Sequence, residues 1–225
     1  MRLGLIIKNI LNLPKTIYFN YKFLHISDAW RLPILVHRKV RITRKSRGKI
    51  EIVLQSGKIV YLGFPVLNTA GNEETIISIE GILRIQGPAF IAQGAHIDIR
   101  KNAVLDIGSK FNSTGKMSII CFKEIQFKDG CTVSWDTLFM DTDSHTIFEL
   151  NTHRILNKNN KIVIGKHCWI GAKSVILKGV HLADNIVVAC NSTVVKSHEN
   201  NNEIIGGAPV RTLKRNTSWC LNEPK

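Results

Sequence analysis

Acidic residues are scarce in this chain: 17 Asp and Glu stand against 31 Lys and Arg in 225 residues, a formal net charge of +14. A surplus of that size favours anionic partners, whether nucleic acid, a membrane surface or a phosphorylated small molecule. Zinc-finger, RNA-recognition and homeodomain patterns are all missing, which removes nucleic acid from that group. The five cysteines, Cys121, Cys131, Cys168, Cys190 and Cys220, form no CxxC pair and no disulfide-framework spacing. An odd count without such a framework excludes a stapled secreted scaffold and points to a reducing cytoplasm. Long apolar runs are lacking too. The opening MRLGLIIKNILNLPK is interrupted by Lys8 and Pro14 and has no small-residue cleavage site, so it reads neither as a membrane span nor as a signal peptide. It reads as an amphipathic surface helix, seated on the body or on the inner face of a membrane.

What is present is a period. From Ile164 to Lys196 an aliphatic residue recurs every sixth position: Ile164, Ile170, Ile176, Leu182, Val188 and Val194. The residues that follow them are mostly small (Gly165, Gly171, Leu177, Ala183, Ala189, Val195), and small or β-branched residues recur four positions on, at Cys168, Ser174, Val180, Ile186 and Ser192. Six fits neither the 3.6 of an α-helix nor the 2 of a plain strand. It fits a short strand and a turn repeated, a parallel β-helix. With three hexapeptides to a turn, residues eighteen apart stack: Ile170 with Val188, Ile176 with Val194, Ala172 with Cys190, about 4.8 Å apart. Cys168 and Cys190 are then expected as small packing residues.

The 44% hydrophobic content suffices for one core or a core with a small cap. Residues 1 to about 30 predict one or two short helices ended by Pro33, and Leu35 to Leu67 predicts short strands joined at Gly48 and Gly57. A basic run, His37 to Lys49, overlaps the first of these strands; a solvated face is its plain reading. Regular coils are expected from residue 77 to 205, with Ile79, Ile85, Ile91 and Ile97 six apart and a register slip near Lys101 and Asn102. Residues 1–76 are expected as a cap, and 206–225 as an exit segment and tail. Phe127, Val133 and Phe139 continue a frame whose next inward position is His145, after which a polar break over 146–161 reads as a loop thrown out from one corner.

IVIGKHCWIGAKSVILKGV followed by IIGGAPVR resembles the hexapeptide-repeat acyltransferases, and the resemblance covers roughly residues 85–215. It rests on the aliphatic sixth positions, a Trp-Ile-Gly in one coil, and a Gly-x-Pro-x-(Arg/Lys) exit. The nearest branch is that of maltose, galactoside and surface-polysaccharide O-acetyltransferases. It implies an all-β, left-handed parallel β-helix and a homotrimer, with acetyl-coenzyme A as donor bound between subunits and no metal. His145 sits at the loop start, follows two aspartates, and falls where the resembled enzymes keep their base. A near-neutral imidazole can deprotonate an attacking sugar hydroxyl. Asp141 or Asp143 would orient the ring or, equally, cap the turn. By the same resemblance Ala172 and Cys190 give corner contacts to the pantetheine, and Lys196, Arg211 and Lys214 face the phosphates. Trp169 either walls the thiol end or packs a corner. Arg211 and Lys214, just past Pro209, are expected where the chain leaves the last coil. Thr114 and Phe122 replace the asparagine and aspartate that bind simple glucosides and galactosides, so the expected acceptor is a sugar of a bacterial surface polysaccharide or its precursor. Amino-sugar N-acetylation and a non-catalytic scaffold are the alternatives.

Overall fold

The computed structural model describes residues 10–53, 59–66 and 73–221. Short β-branched strands separated by tight turns close into three sheets, of nine, seven and six strands among the described residues, all parallel except for the last strand of the first. The first sheet runs from Ile34–Val36 down to Glu203–Gly207, the second from Val40–Ile42 to Thr193–Val194, and the third from Lys49–Ile52 to His181–Leu182. Each turn of chain visits the sheets in that order. The turns therefore stack into three columns: a first corner between sheets one and two, a second between two and three, and a third leading back to sheet one. This is the parallel β-helix that the repeat predicts, with the left hand that the family resemblance implies.

The expected register is observed, with Ile170 paired to Val188 and Ile176 to Val194. Earlier coils are wider, Ile97 pairing with Ile119. The slip near Lys101 and Asn102 is one cause: that corner holds extra residues and turns with Asn102 at φ 67°, a left-handed conformation that Asn tolerates better than most side chains. Ile79, Ile85, Ile91 and Ile97 are all buried in one column. Below them Phe127 meets Phe111 and Phe139 edge-on, with ring centroids 5.1 and 4.8 Å apart.

The solenoid begins at Ile34 and not at residue 77. Strands Ile34–Val36, Val40–Ile42 and Lys49–Ile52 already form its first coil. The hexapeptide pattern is obscured there by uneven corners, three residues between Val36 and Val40 but six between Ile42 and Lys49. Gly57, Leu54 and Leu67 of the expected strand region lie outside the described residues, as do residues 1–9 of the expected surface helix. The cap proper is helix α1 (Leu13–Phe23) followed by α2 (Ile26–Ala29). Phe19 and Phe23 bury against the open top of the column. Asn20 both accepts from Ile34 N–H (3.2 Å) and donates to its carbonyl (2.7 Å), and Thr16 does the same for Val36 (3.0 and 3.2 Å). Two helical side chains thus satisfy a sheet edge that would otherwise invite pairing with another chain. No helix among the described residues is long and apolar enough to cross a membrane.

The lower end also departs from expectation. Glu203–Gly207 extends the first sheet, Val188 pairing with Ile205, and the chain reverses at Ala208–Pro209 into an antiparallel return strand, Val210–Arg215. The exit segment doubles back over the solenoid instead of leaving it. Trp219 then docks on the body, its ring stacked on His167 at 4.4 Å and its Nε1 donating to the His167 carbonyl at 2.8 Å.

Phe127 occupies the centre of the aromatic stack, where no neighbour can collapse without breaking a ladder. Phe127→Ala should destabilise the chain by about 3–5 kcal/mol, read as a lowered denaturant midpoint with an unchanged slope.

Candidate active site

The chain leaves the second sheet after Met140 and rejoins the third at Ile162, so the predicted loop springs from the second corner. Its first residue, Asp141, is fully buried. The Asp141 carboxylate accepts the backbone N–H of Phe122 (2.7 Å), Lys123 (2.8 Å) and Glu124 (2.8 Å), closing the same corner one coil above. Of the two readings open for Asp141, the structure supports the turn cap, and its oxygens do not reach the His145 ring.

Asp143 is engaged differently. Its carboxylate takes an ion pair from Lys178, one coil below, and a 2.8 Å hydrogen bond from Asn157 on the returning arm of the loop. Those two donors, Lys178 foremost, hold the carboxyl below its ordinary range. Asn157 also donates to the His145 carbonyl at 2.7 Å, Lys178 to the Asn157 carbonyl at 3.2 Å, and the His145 N–H to the Asp143 carbonyl at 2.7 Å. Asp143 therefore fixes the backbone that carries His145 and makes no contact with its imidazole. His145 is exposed, not inward, because the ladder has already ended at Met140. Its ring has no hydrogen-bond partner among the described residues. Lys178 and Asn157 escaped the sequence reading; the signal was a lysine at a corner where the repeat requires no charge.

The remaining candidates divide between places. Ala172 and Cys190 stack on the first corner, where Asn191 N–H reaches the Ala172 carbonyl at 2.8 Å. Cys190 is exposed there, so it is no packing residue, whereas Cys168 is buried and burial pushes its thiol up to about 12. Trp169 lies on the outer side of the first sheet, its Nε1 donating to Ser134 Oγ at 3.0 Å and its ring 5.9 Å from that of Trp219. Lys196 follows Thr193–Val194 on the second corner, in the column of His145 rather than that of Ala172. Arg211 and Lys214, three residues apart, would face opposite sides of a regular strand. A bulge pairs Lys214 with Ile204 but Arg211 with Gly206, which returns both to one face. Their neighbour Arg215 is occupied by Glu203 at 3.0 Å. Thr114 lies on the first corner, and Phe122 on the second beneath the Arg100 guanidinium. Within one chain, then, the histidine and the small-residue corner are separated by the width of the second sheet.

Asp141→Ala takes the acceptor from the backbone N–H groups of Phe122, Lys123 and Glu124 and should cost about 3 kcal/mol in denaturant unfolding. Asp143→Ala, which removes a partly exposed pair, should cost about 1 kcal/mol or less. The Asp143 pair is fully formed above the ordinary carboxylate pKa and is lost only as pH falls through the lowered folded value, so its contribution should be constant across the neutral range.

Residues 161–196 match the family described as hexapeptide repeat of succinyl-transferase. A Klebsiella pneumoniae protein, known only as an uncharacterized 24.8 kDa protein in the cps region, is 31% identical over 199 residues, spanning 88% of this chain and 86% of its own length. The putative lipopolysaccharide biosynthesis O-acetyl transferase WbbJ of Escherichia coli K12 is 24% identical over 153 residues, 58% of this chain and 78% of that one. Among solved structures, the polySia-specific acetyltransferase NeuO superposes with a TM-score of 0.55 at 16% identity, covering 85% of this chain and 79% of its own. The polysialic acid O-acetyltransferase OatWY gives 0.51 at 24% identity, covering 82% and 88%. At such identities the two structures establish the fold. Together with the six-residue period and the three-sided solenoid, the relative that matches along most of both lengths shows that the chain belongs to the hexapeptide-repeat acyltransferase family.

Proposed function

We propose that the protein is an acetyl-coenzyme A-dependent O-acetyltransferase acting on a sugar of a bacterial surface polysaccharide or its precursor, with His145 as general base. The observation that carries this reading is the anchored loop. Asp143, Asn157 and Lys178 fix the backbone around one exposed imidazole whose nitrogens are left for something outside the described chain. Membership of an acyltransferase family and the relatives named as surface-glycan O-acetyltransferases support the reaction class.

The reaction needs a single transfer. The imidazole takes the proton of a sugar hydroxyl as that oxygen forms a bond to the thioester carbonyl carbon; the tetrahedral intermediate collapses, and the departing thiolate takes the proton back from the imidazolium. On this reading His145 carries the shuttle.

The separation of the two corners supports a homotrimer. Along the second sheet the outward residues Ile120, Leu138, Met140, Val175 and Leu177 form an apolar strip, which a threefold arrangement with this sheet facing the axis would cover. In a three-sided prism so placed, the second corner of one copy meets the first corner of the next. His145 and Lys196 of one chain then face Ala172 and Cys190 of its neighbour. Gly171 keeps the coils tightly stacked there, since a Cβ would lie 2.6 Å from the Val188 carbonyl oxygen of the next coil, and the small side chains of Ala172 and Cys190 suit the corner to a slender ligand arm. Arg211 and Lys214, on one face and without ion pairs among the described residues, suit the nucleotide phosphates. The N-terminal helix, with Lys15 and Lys22 beside the exposed Ile17, Tyr18 and Tyr21, suits a place beside the inner face of the membrane.

Release of thiol from acetyl-coenzyme A in the presence of surface-glycan sugars measures the reaction directly. His145→Ala should lower turnover by about 10²–10⁴-fold without weakening acetyl-coenzyme A binding; near-native turnover would make the histidine structural. Acetyl-coenzyme A should also shield Cys190 from iodoacetamide, and Arg211→Ala should weaken that protection. Labelling of Cys190 at an unchanged rate under saturating donor would place the donor elsewhere.

A further inference from the structure

The second corner carries more charge than the transfer step uses. Above the His145 loop, Arg44, Lys45 and Arg47 project from the first coil's turn, and Arg100 from the third coil's; with Glu80 these line one open groove. Lys123 continues the column in the fourth coil, directly above the loop. Backbone bonds stack the upper coils of this column, Gly48 N–H to the Ile79 carbonyl, Glu80 N–H to that of Ile99 and Arg100 N–H to that of Cys121, and the Asp141 side chain completes it by accepting the Phe122 N–H. At about 4.8 Å per coil, the row from Arg44 to the loop is roughly 19 Å long.

Two observations distinguish this row from ordinary surface charge. On the adjoining third sheet the cations are neutralised: Lys49 and Arg84 share Glu51 at 2.7 and 2.9 Å, and Arg84 also approaches Asp106 at 3.8 Å. Arg44, Lys45 and Arg47 have no ion pair among the described residues. Arg100 is shared with Glu80 (3.3 Å) and Asp98 (3.9 Å), and it is held over the Phe122 ring at 5.2 Å, aimed along the corner. These cations also stand in single file along one edge of the prism. A lipid surface calls for charge spread over a face, whereas a file of cations along an edge matches the spaced charges of a linear polymer.

We propose that this edge is a docking track for an acidic glycan, a chain of sugars bearing carboxylate or phosphate groups, which it leads to His145. The delivery role rests on the acyltransferase reading above; the binding itself does not. The row supplies affinity for the polymer's repeated charges and holds one hydroxyl at the loop while the rest of the chain lies along the coils above. Bidentate contacts from Arg44, Arg47 and Arg100 suit carboxylate and phosphate alike.

Calorimetry on the full-length protein without acyl donor tests the track, using polygalacturonate as the acidic polymer, dextran as a neutral one, and vesicles of phosphatidylglycerol and phosphatidylcholine. The wild type should bind polygalacturonate with an affinity that falls as salt rises, and should not bind dextran. Arg44→Ser with Arg47→Ser should weaken binding by about tenfold or more. Lys110→Ser with Lys166→Ser, the same loss of charge on the third corner, should change it by less than about twofold. Equal losses in the two double variants would reduce the effect to net charge and overturn the proposal. So would dextran binding as well as polygalacturonate, or vesicle binding that is tighter than polymer binding and is lost in the Arg44/Arg47 variant. Thiol release with small sugar acceptors, measured in parallel, reports on the acyltransferase reading without the track, so the two can fall separately.

Discussion

Each coil of this protein is held by the backbone ladder of the coil beside it, and the ladder fixes which residues share a corner. Ile170 pairs with Val188 and Ile176 with Val194 because inward aliphatic side chains can fill the column only in that register. A slip of one residue would turn the buried set outward. Once the inward positions are fixed, the corners have no freedom left, and residues far apart in sequence come to lie in one file. Arg44, Arg100, Lys123, His145, Lys178 and Lys196 share an edge for no reason other than this stacking.

The same constraint explains how an exposed loop can present a defined histidine. The loop is tied to the coils on either side, by Asp141 to the coil above and by Asp143 through Lys178 to the coil below. The two carboxylates divide the work by burial. Asp141 is sealed in and closes three backbone donors, a stabilising role. Asp143 and Lys178 keep 36% and 23% of their side-chain surfaces exposed, so their pair adds little stability. What the pair supplies is position, since Asn157 bridges it to the His145 carbonyl.

The fold was largely legible because a six-residue period has few physical solutions, and the lower coils show it without interruption. The upper coils hid theirs: corners such as 37–39 and 43–48 differ in length, so strands that belong to the first coil read as a separate cap. The site was legible in part. His145 and the loop stood out by breaking the period, yet the ring's environment was misjudged, because extending the frame past Met140 assumed a ladder that had already ended. The Asp143–Lys178 pair spans 35 residues in sequence and arises from stacking alone, which no local pattern records. The reversal at Ala208–Pro209 was hidden for a related reason: the period is lost at Lys196, while Ile205 still completes a rung of the first sheet.

The central claim is that the reaction site is divided between two copies, the His145 edge of one meeting the Ala172 and Cys190 edge of the next. Complementation measures this directly. His145→Ala and Cys190→Trp, each inactive as a homo-oligomer, are unfolded together in equal amounts, refolded, and assayed for thiol release. A divided site predicts recovered activity, because a chain with an intact His145 can face a neighbour with an intact Cys190 corner. Random mixing would restore roughly one site in four. Activity no higher than that of the two variants assayed separately, in mixtures shown to contain both chains, would place the whole site within one chain and contradict the account.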